Sequence, residues 1–92
     1  MSRIEVEREP SEESLQLRGV RDWPIWTKEV SRFDWQYSST EVCYILEGSV
    51  IVETADGSVK VGTGDKVTFP SGLACVWDIH EPIRKHYSFL AD

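Results

Sequence analysis

Apolar and polar positions alternate in short blocks along most of the chain, and turn residues separate the blocks. Ile25–Phe33 follows Pro24 as a strand. Glu41–Glu47 and Ser49–Thr54 form two more, with Gly48 as a tight turn between them. Ala55-Asp56-Gly57 is the strongest hairpin signal and leads into Ser58–Val61. Turns at Gly62-Thr63-Gly64-Asp65 and Pro70-Ser71-Gly72 flank a strand Lys66–Phe69. Leu73–His80 and Ile83–Leu90 follow, separated by Glu81-Pro82. With Arg3–Arg8 at the front, these blocks make about eight short strands. Such spacing predicts an all-β sandwich or barrel, not alternating strands and helices. One segment departs from the pattern. Ser11 suits a helix N-cap, Glu12 and Glu13 suit its positive end, and Leu15 and Leu17 follow before Gly19 stops it. Residues 1–20 are therefore read as a strand and a short helix, and residues 21–92 as the barrel.

Period-two alternation assigns faces to the strands. In Leu73–His80 the inward file is Leu73, Cys75, Trp77 and Ile79. In Ile83–Leu90 it is Ile83, Lys85, Tyr87 and Phe89. Both histidines, His80 and His86, then fall on the outward files and read as surface residues. In Glu41–Glu47 the files Glu41, Cys43, Ile45 and Val42, Tyr44, Leu46 are both largely apolar, so alternation alone does not choose between them. Lys85 stands in an otherwise apolar row, and Glu41 shares a row with Cys43 and Ile45. A lone buried charge costs several kcal/mol, so two inward charges of opposite sign would be expected to pair. The alternative is that Lys85 extends to the rim and Glu41 ends its strand in water.

The chain has 92 residues, a single domain spanning 1–92. Sixteen acidic residues against ten basic give a net charge of −6, and no Lys/Arg stripe is present. No nucleic-acid partner is expected, because the phosphate backbone demands positive charge. The longest apolar runs, such as Val42-Cys43-Tyr44-Ile45-Leu46, fall far below the roughly 20 residues of a membrane span, so no membrane partner is expected. The first residues, Met1-Ser2-Arg3-Ile4-Glu5-Val6-Glu7, hold no apolar signal core. Cys43 and Cys75 are too few for a disulfide framework. The reading is a cytoplasmic protein with two free thiols, with a Cys43–Cys75 bridge left open.

Two stretches carry a resemblance. Glu41 is followed by six residues and Gly48. Gly64 is followed by five residues, Pro70-Ser71-Gly72, two residues, Cys75, three residues and Ile79. This skeleton resembles the two motifs of the cupin family, whose fold is the jelly-roll barrel or double-stranded β-helix. Trp23-Pro24-Ile25-Trp26, Phe33-Asp34-Trp35, Glu41–Gly48 and Val67–Gly72 are similar to the small single-domain cupins of the (S)-ureidoglycine aminohydrolase type and their EutQ-like relatives. The resemblance implies a metal held by three His and one Glu. Only Glu41 matches that set: Trp35, Tyr37 and Cys75 stand at the histidine positions and Ile79 at the Asn position. An indole N–H cannot ligate a metal. A thiolate set of Glu41, Cys43 and Cys75 is the remaining metal reading. The resemblance also makes a homodimer plausible, as would Val42, Tyr44 and Leu46 if their face is outside and needs cover.

With rings in place of the histidines, the barrel mouth is expected to hold an aromatic pocket. Trp35, Tyr37, Cys43, Cys75, Trp77 and Tyr87 are its candidate ligand-binding residues, and Glu41 and Lys85 its candidate catalytic pair. Apolar walls with a few convergent polar groups are the usual makeup of a small-molecule site. The expected function is binding of a small polar molecule without a His-based metal site and without a cofactor. Rings and a cation suit a flat or carbohydrate-like ligand carrying a carboxylate. Two alternatives are an enzyme, either metal-assisted or using Glu41 and Lys85 as an acid–base pair, and a structural module whose pocket is inert. A thiolate at Cys75 near Lys85 would have a lowered pKa and be reactive; most buried cysteines are inert.

Overall fold

The computed structural model describes residues 3–90. In chain order it contains β1 (Glu5–Arg8), α1 (Glu12–Leu17), a 3-10 turn (Val20–Asp22), β2 (Ile25–Lys28), β3 (Ser31–Gln36), β4 (Thr40–Thr54), β5 (Gly57–Gly62), β6 (Asp65–Phe69) and β7 (Ala74–Leu90). The helix forms as its sequence dictates. The Ser11 hydroxyl accepts from the Ser14 amide at 3.1 Å, and Gly19 leaves the helix at φ 69°. The hairpin at Ala55-Asp56 also forms, with Thr54 paired to Gly57.

Two expectations about strand ends are corrected. The segments on either side of Gly48 are one strand of 15 residues, and those on either side of Glu81-Pro82 are one strand of 17. Gly48 does not reverse the chain. Its φ of 102° lets β4 bend, and β7 bends against it: a Cβ on Gly48 would lie 2.1 Å from the Pro82 carbonyl oxygen. The two strands pair antiparallel almost end to end, with their register shifting only between Ile45 and Val50. The segment predicted as one strand over Ile25–Phe33 is interrupted at Glu29-Val30, opposite the Pro82 bend. Its halves are β2, against Ile83–His86, and β3, against Ala74–Ile79. On the far edge of β4, β5 and β6 likewise run end to end, and β1 adds to β6. Their corner is tied to the same place: the Thr63 amide donates to Gly48 O at 3.1 Å and the Gly64 amide to Ile45 O at 2.9 Å.

The bends fold the sheet onto itself. Lys85 Nζ lies 4.5 Å from the Trp77 ring of its own strand. Eight residues of straight strand would separate their backbones by roughly 26 Å, far beyond side-chain reach. The enclosed core changes character along its length. Beside the bend it is aliphatic, with Ile45, Val50, Val61, Ile79 and Ile83 buried. At the other end it is aromatic: Tyr37 stacks on Phe69 at 5.0 Å between centroids, and Phe69 meets Trp77 at 5.6 Å.

The N-terminal segment lies on the outer face of β4 and β7. Leu15 and Val20 are buried, Arg21 stacks over the Tyr44 ring at 5.2 Å, and His86 Nδ1 meets Trp23 O at 2.9 Å. This corrects the reading of His86 as a surface residue: its outward face is roofed by residues 15–24. His80, beyond that roof, is exposed as expected. Val42 is buried too, and Tyr44 is half-buried under Arg21. The outer apolar file thus has cover from its own chain and does not by itself require a second subunit. Among the described residues, no helix is long and apolar enough to cross a membrane.

Candidate functional site

Glu41 opens β4 and Lys85 lies in the second half of β7. Both files alternate inward at these positions, and the register sets Glu41 opposite Phe89 and Ile45 opposite Lys85. The side chains meet inside the barrel: Lys85 Nζ donates to Glu41 Oε2 at 2.7 Å, with the two residues only 5% and 3% exposed. The ammonium also lies over two indoles, Trp77 at 4.5 Å and Trp26 at 4.9 Å. Charge compensation and ring faces replace water around the cation. Tyr37, between β3 and β4, reaches the same group. Burial, then the Glu41 charge and a hydrogen bond to it, push the Tyr37 pKa far above the ordinary tyrosine value. The phenol therefore keeps its proton at any physiological pH, beside the Glu41 charge.

These three groups close the deep end of a cavity of about 230 Å³. Trp26, Phe33, Trp35, Trp77, Tyr87 and Phe89 line its walls. The rings brace one another: Trp26 meets Trp77 edge-on at 6.0 Å, Phe33 stacks on Trp77 at 6.3 Å, and Trp35 meets Tyr37 edge-on at 6.3 Å. Trp35 and Phe89, 49% and 51% exposed, form the rim. The Trp77 indole N–H is buried and makes no well-formed hydrogen bond among the described residues.

Glu41, Lys85, Trp35, Tyr37, Trp77 and Tyr87 thus stand around one cavity. Cys43 and Cys75 do not line it. Cys43 is fully buried one step deeper along the Glu41 file, and Cys75 faces a groove on the other side of Trp35. Both are free thiols, so the bridge left open does not form. Neither is activated. Burial raises the Cys43 pKa to about 12, outweighing the nearby Lys85 charge. Burial also raises that of Cys75, with the Trp77 indole acting in the opposite direction and the Glu41 charge adding to the rise. The idea of a lowered Cys75 pKa beside Lys85 is therefore corrected: desolvation dominates. Three lining residues, Trp26, Phe33 and Phe89, escaped the sequence reading. Phe89 was already in the inward file of Lys85, which was signal enough to include it. Trp26 and Phe33 lie on strands whose inward face alternation had not assigned.

An antiparallel sheet of bent strands folded onto itself, with an aromatic-walled cavity at one end that holds Glu41, is the architecture of a cupin. The chain belongs to the family of the EutQ-like cupin domain, whose model matches residues 15–87. A DUF861 family protein from Thermotoga maritima has a similar crystal structure at 50% identity, covering 96% of this chain and 100% of its own, with a TM-score of 0.91. A putative ethanolamine utilization protein Q from Salmonella typhimurium is 20% identical, over 71% of this chain and 53% of its own, with a TM-score of 0.65. The Clostridium difficile EutQ protein is 14% identical, over 96% and 68%, with a TM-score of 0.66. The last two likenesses concern the fold alone. No curated protein matches the chain.

The metal that cupin motifs imply does not fit the residues present. The Lys85 ammonium is bound to the one carboxylate that the motif keeps. Trp35 has no lone pair to offer, and Tyr37 holds its proton. Both cysteines favour the neutral thiol, whereas a metal needs the thiolate. Both histidines lie on the outer face. Among the described residues, no group of three or more His, Cys, Asp or Glu side chains could hold a metal ion.

Proposed function

We propose that this protein is a small-molecule-binding cupin whose aromatic-walled mouth takes a planar polar ligand onto the Tyr37–Glu41–Lys85 group. One observation carries the proposal. A buried ion pair at 2.7 Å closes the deep end of a cavity that still reaches solvent past two half-exposed rings. A buried pair contributes little net stability and is often matched or bettered by apolar residues of similar volume. Its position at the end of an accessible aromatic cavity supports a role in recognition. Two unpaired thiols suit a reducing compartment, and the proposal places the protein in the cytoplasm.

A second reading draws on the same three residues. Tyr37, Glu41 and Lys85 bring a protonated phenol and a paired carboxylate and amine to one cavity, groups that a metal-free acid–base catalyst uses. Turnover of a bound compound that disappears in Glu41→Gln would favour it.

The test of the binding proposal is a panel of small planar compounds titrated against tryptophan fluorescence and melting temperature, with and without chelator. The expected result is saturable binding that chelator leaves unchanged and Trp35→Ala weakens. The opposing result is that no compound shifts either signal while Glu41→Gln/Lys85→Met raises stability. That outcome would make the pair an idle remnant and the protein a structural module.

A further inference from the structure

The hydrogen-bonding capacity at the deep end of the cavity is only partly used. Lys85 has three N–H donors, and one is bonded, to Glu41 Oε2. The other two have no oxygen acceptor among the described residues, and the ammonium lies over the faces of Trp26 and Trp77. An ionised carboxylate offers about four lone-pair positions. Lys85 engages one oxygen of Glu41, Oε2, which leaves acceptor capacity on the same carboxylate. A molecule entering past Trp35 therefore meets N–H donors that have only ring faces as partners and a carboxylate with acceptor capacity, side by side, at the end of a slot walled by rings.

The net charge of this group decides what complements it. Glu41 and Lys85 cancel each other, and Tyr37 is neutral. An added carboxylate would gain attraction from Lys85 and lose a similar amount to Glu41, since the two lie within hydrogen-bond distance of each other. It would also leave water, a cost that a group of zero net charge offsets poorly. An added ammonium meets the mirror-image problem, with Lys85 already holding the two indole faces. A neutral planar group carrying an acceptor next to a donor has no such cost and satisfies both free positions.

We infer that the ligand is a neutral planar ring with a lactam edge, its C=O accepting from Lys85 and its adjacent N–H donating to Glu41. The inference rests on the binding proposal above and replaces the carboxylate-bearing ligand that the sequence suggested. The walls suit such a ring, because flat π-systems stack or meet edge-on at the separations these side chains already keep. The cavity volume of about 230 Å³ accommodates a ring of this size.

Four probes of similar size separate the possibilities: 2-pyridone (lactam), N-methyl-2-pyridone (acceptor only), benzoate (anion) and benzene (ring only). Each is titrated into the wild-type protein, following the indole N–H signals of Trp26, Trp35 and Trp77 by NMR. The inference expects 2-pyridone to bind at least fivefold more tightly than the other three. In Lys85→Met that preference should fall below twofold while benzene still binds. N-methyl-2-pyridone or benzoate binding as tightly as 2-pyridone would overturn the lactam inference and leave the pocket reading standing. No perturbation of the three indoles by any probe would overturn both.

Discussion

At the bend of the barrel, β4 and β7 press together so closely that Gly48 has no room for a methyl group beside the Pro82 carbonyl, and the surrounding core is Ile45, Val50, Val61, Ile79 and Ile83. At the mouth, the same two strands present Glu41, Lys85, Trp77, Tyr87 and Phe89 around a cavity. One end is filled, apolar and tied by backbone hydrogen bonds. The other is open, ringed and charged. Small β-barrels have just enough interior for side chains to fill, so leaving one end hollow costs packing. The contrast assigns stability to the bend and recognition to the mouth.

The largest expected effect tests the bend. Gly48→Ala brings a Cβ into the Pro82 carbonyl at a backbone angle that side chains rarely adopt. Urea unfolding should show a loss above about 4 kcal/mol. A loss below about 1 kcal/mol would mean that the bend tolerates loosening. The mouth is tested next through its ion pair. Lys85→Met strands a buried carboxylate and should cost about 3–5 kcal/mol, whereas Glu41→Gln/Lys85→Met removes both charges and should recover most of that loss. A double variant no more stable than the single would remove the argument that the pair is dispensable for folding.

Cys43 sharpens the boundary between the two ends. Its native pKa lies near 12, above the ordinary value of 9.0, because burial favours the neutral thiol. A raised native pKa contributes stability that is intact below pH 9 and is lost as the pH climbs toward 12. By pH 10 the loss should be about 1–2 kcal/mol. Cys75, also raised, adds to it with the same sign. Chemical denaturation at pH 8, 9 and 10 should give a shallower decline for Cys43→Ala than for wild type. Equal slopes would place water beside Cys43 and extend the wet end deeper than described. The smallest effect concerns the rim: Trp35→Ala should change stability by less than about 0.5 kcal/mol, as befits a half-exposed ring. The same variant should weaken planar probes several-fold, and a variant that unfolds easily would make Trp35 part of the core.

Local chemistry made much of the fold legible. The capped helix, the Ala55-Asp56 hairpin and the inward file through Lys85 follow from neighbouring residues alone. The long strands were not legible, because a bend with positive φ and a turn both use glycine. Only the antiparallel partner, supplying the Pro82 carbonyl, makes Gly48 the former. His86 was misplaced for a similar reason: alternation gives the face on which a side chain stands, not what is laid across that face. Glu41 and Lys85 could be singled out because charge in an apolar row is costly. Trp26 and Phe33 carried no such mark, since aromatic residues in strands are ordinary.

Four of the nine cavity residues, Trp77, Lys85, Tyr87 and Phe89, lie on β7. Both halves of that bent strand therefore face the slot, Trp77 from one and Lys85, Tyr87 and Phe89 from the other, and the slot is not divided between separate lobes. Such a receptor cannot clamp shut by moving one lobe against another, and admission falls to rotamer changes of the gate rings. For engineering, exchanging the segment from 74 to 90 between relatives alters four of the nine lining positions at once, while Trp26, Phe33, Trp35, Tyr37 and Glu41 stay in place.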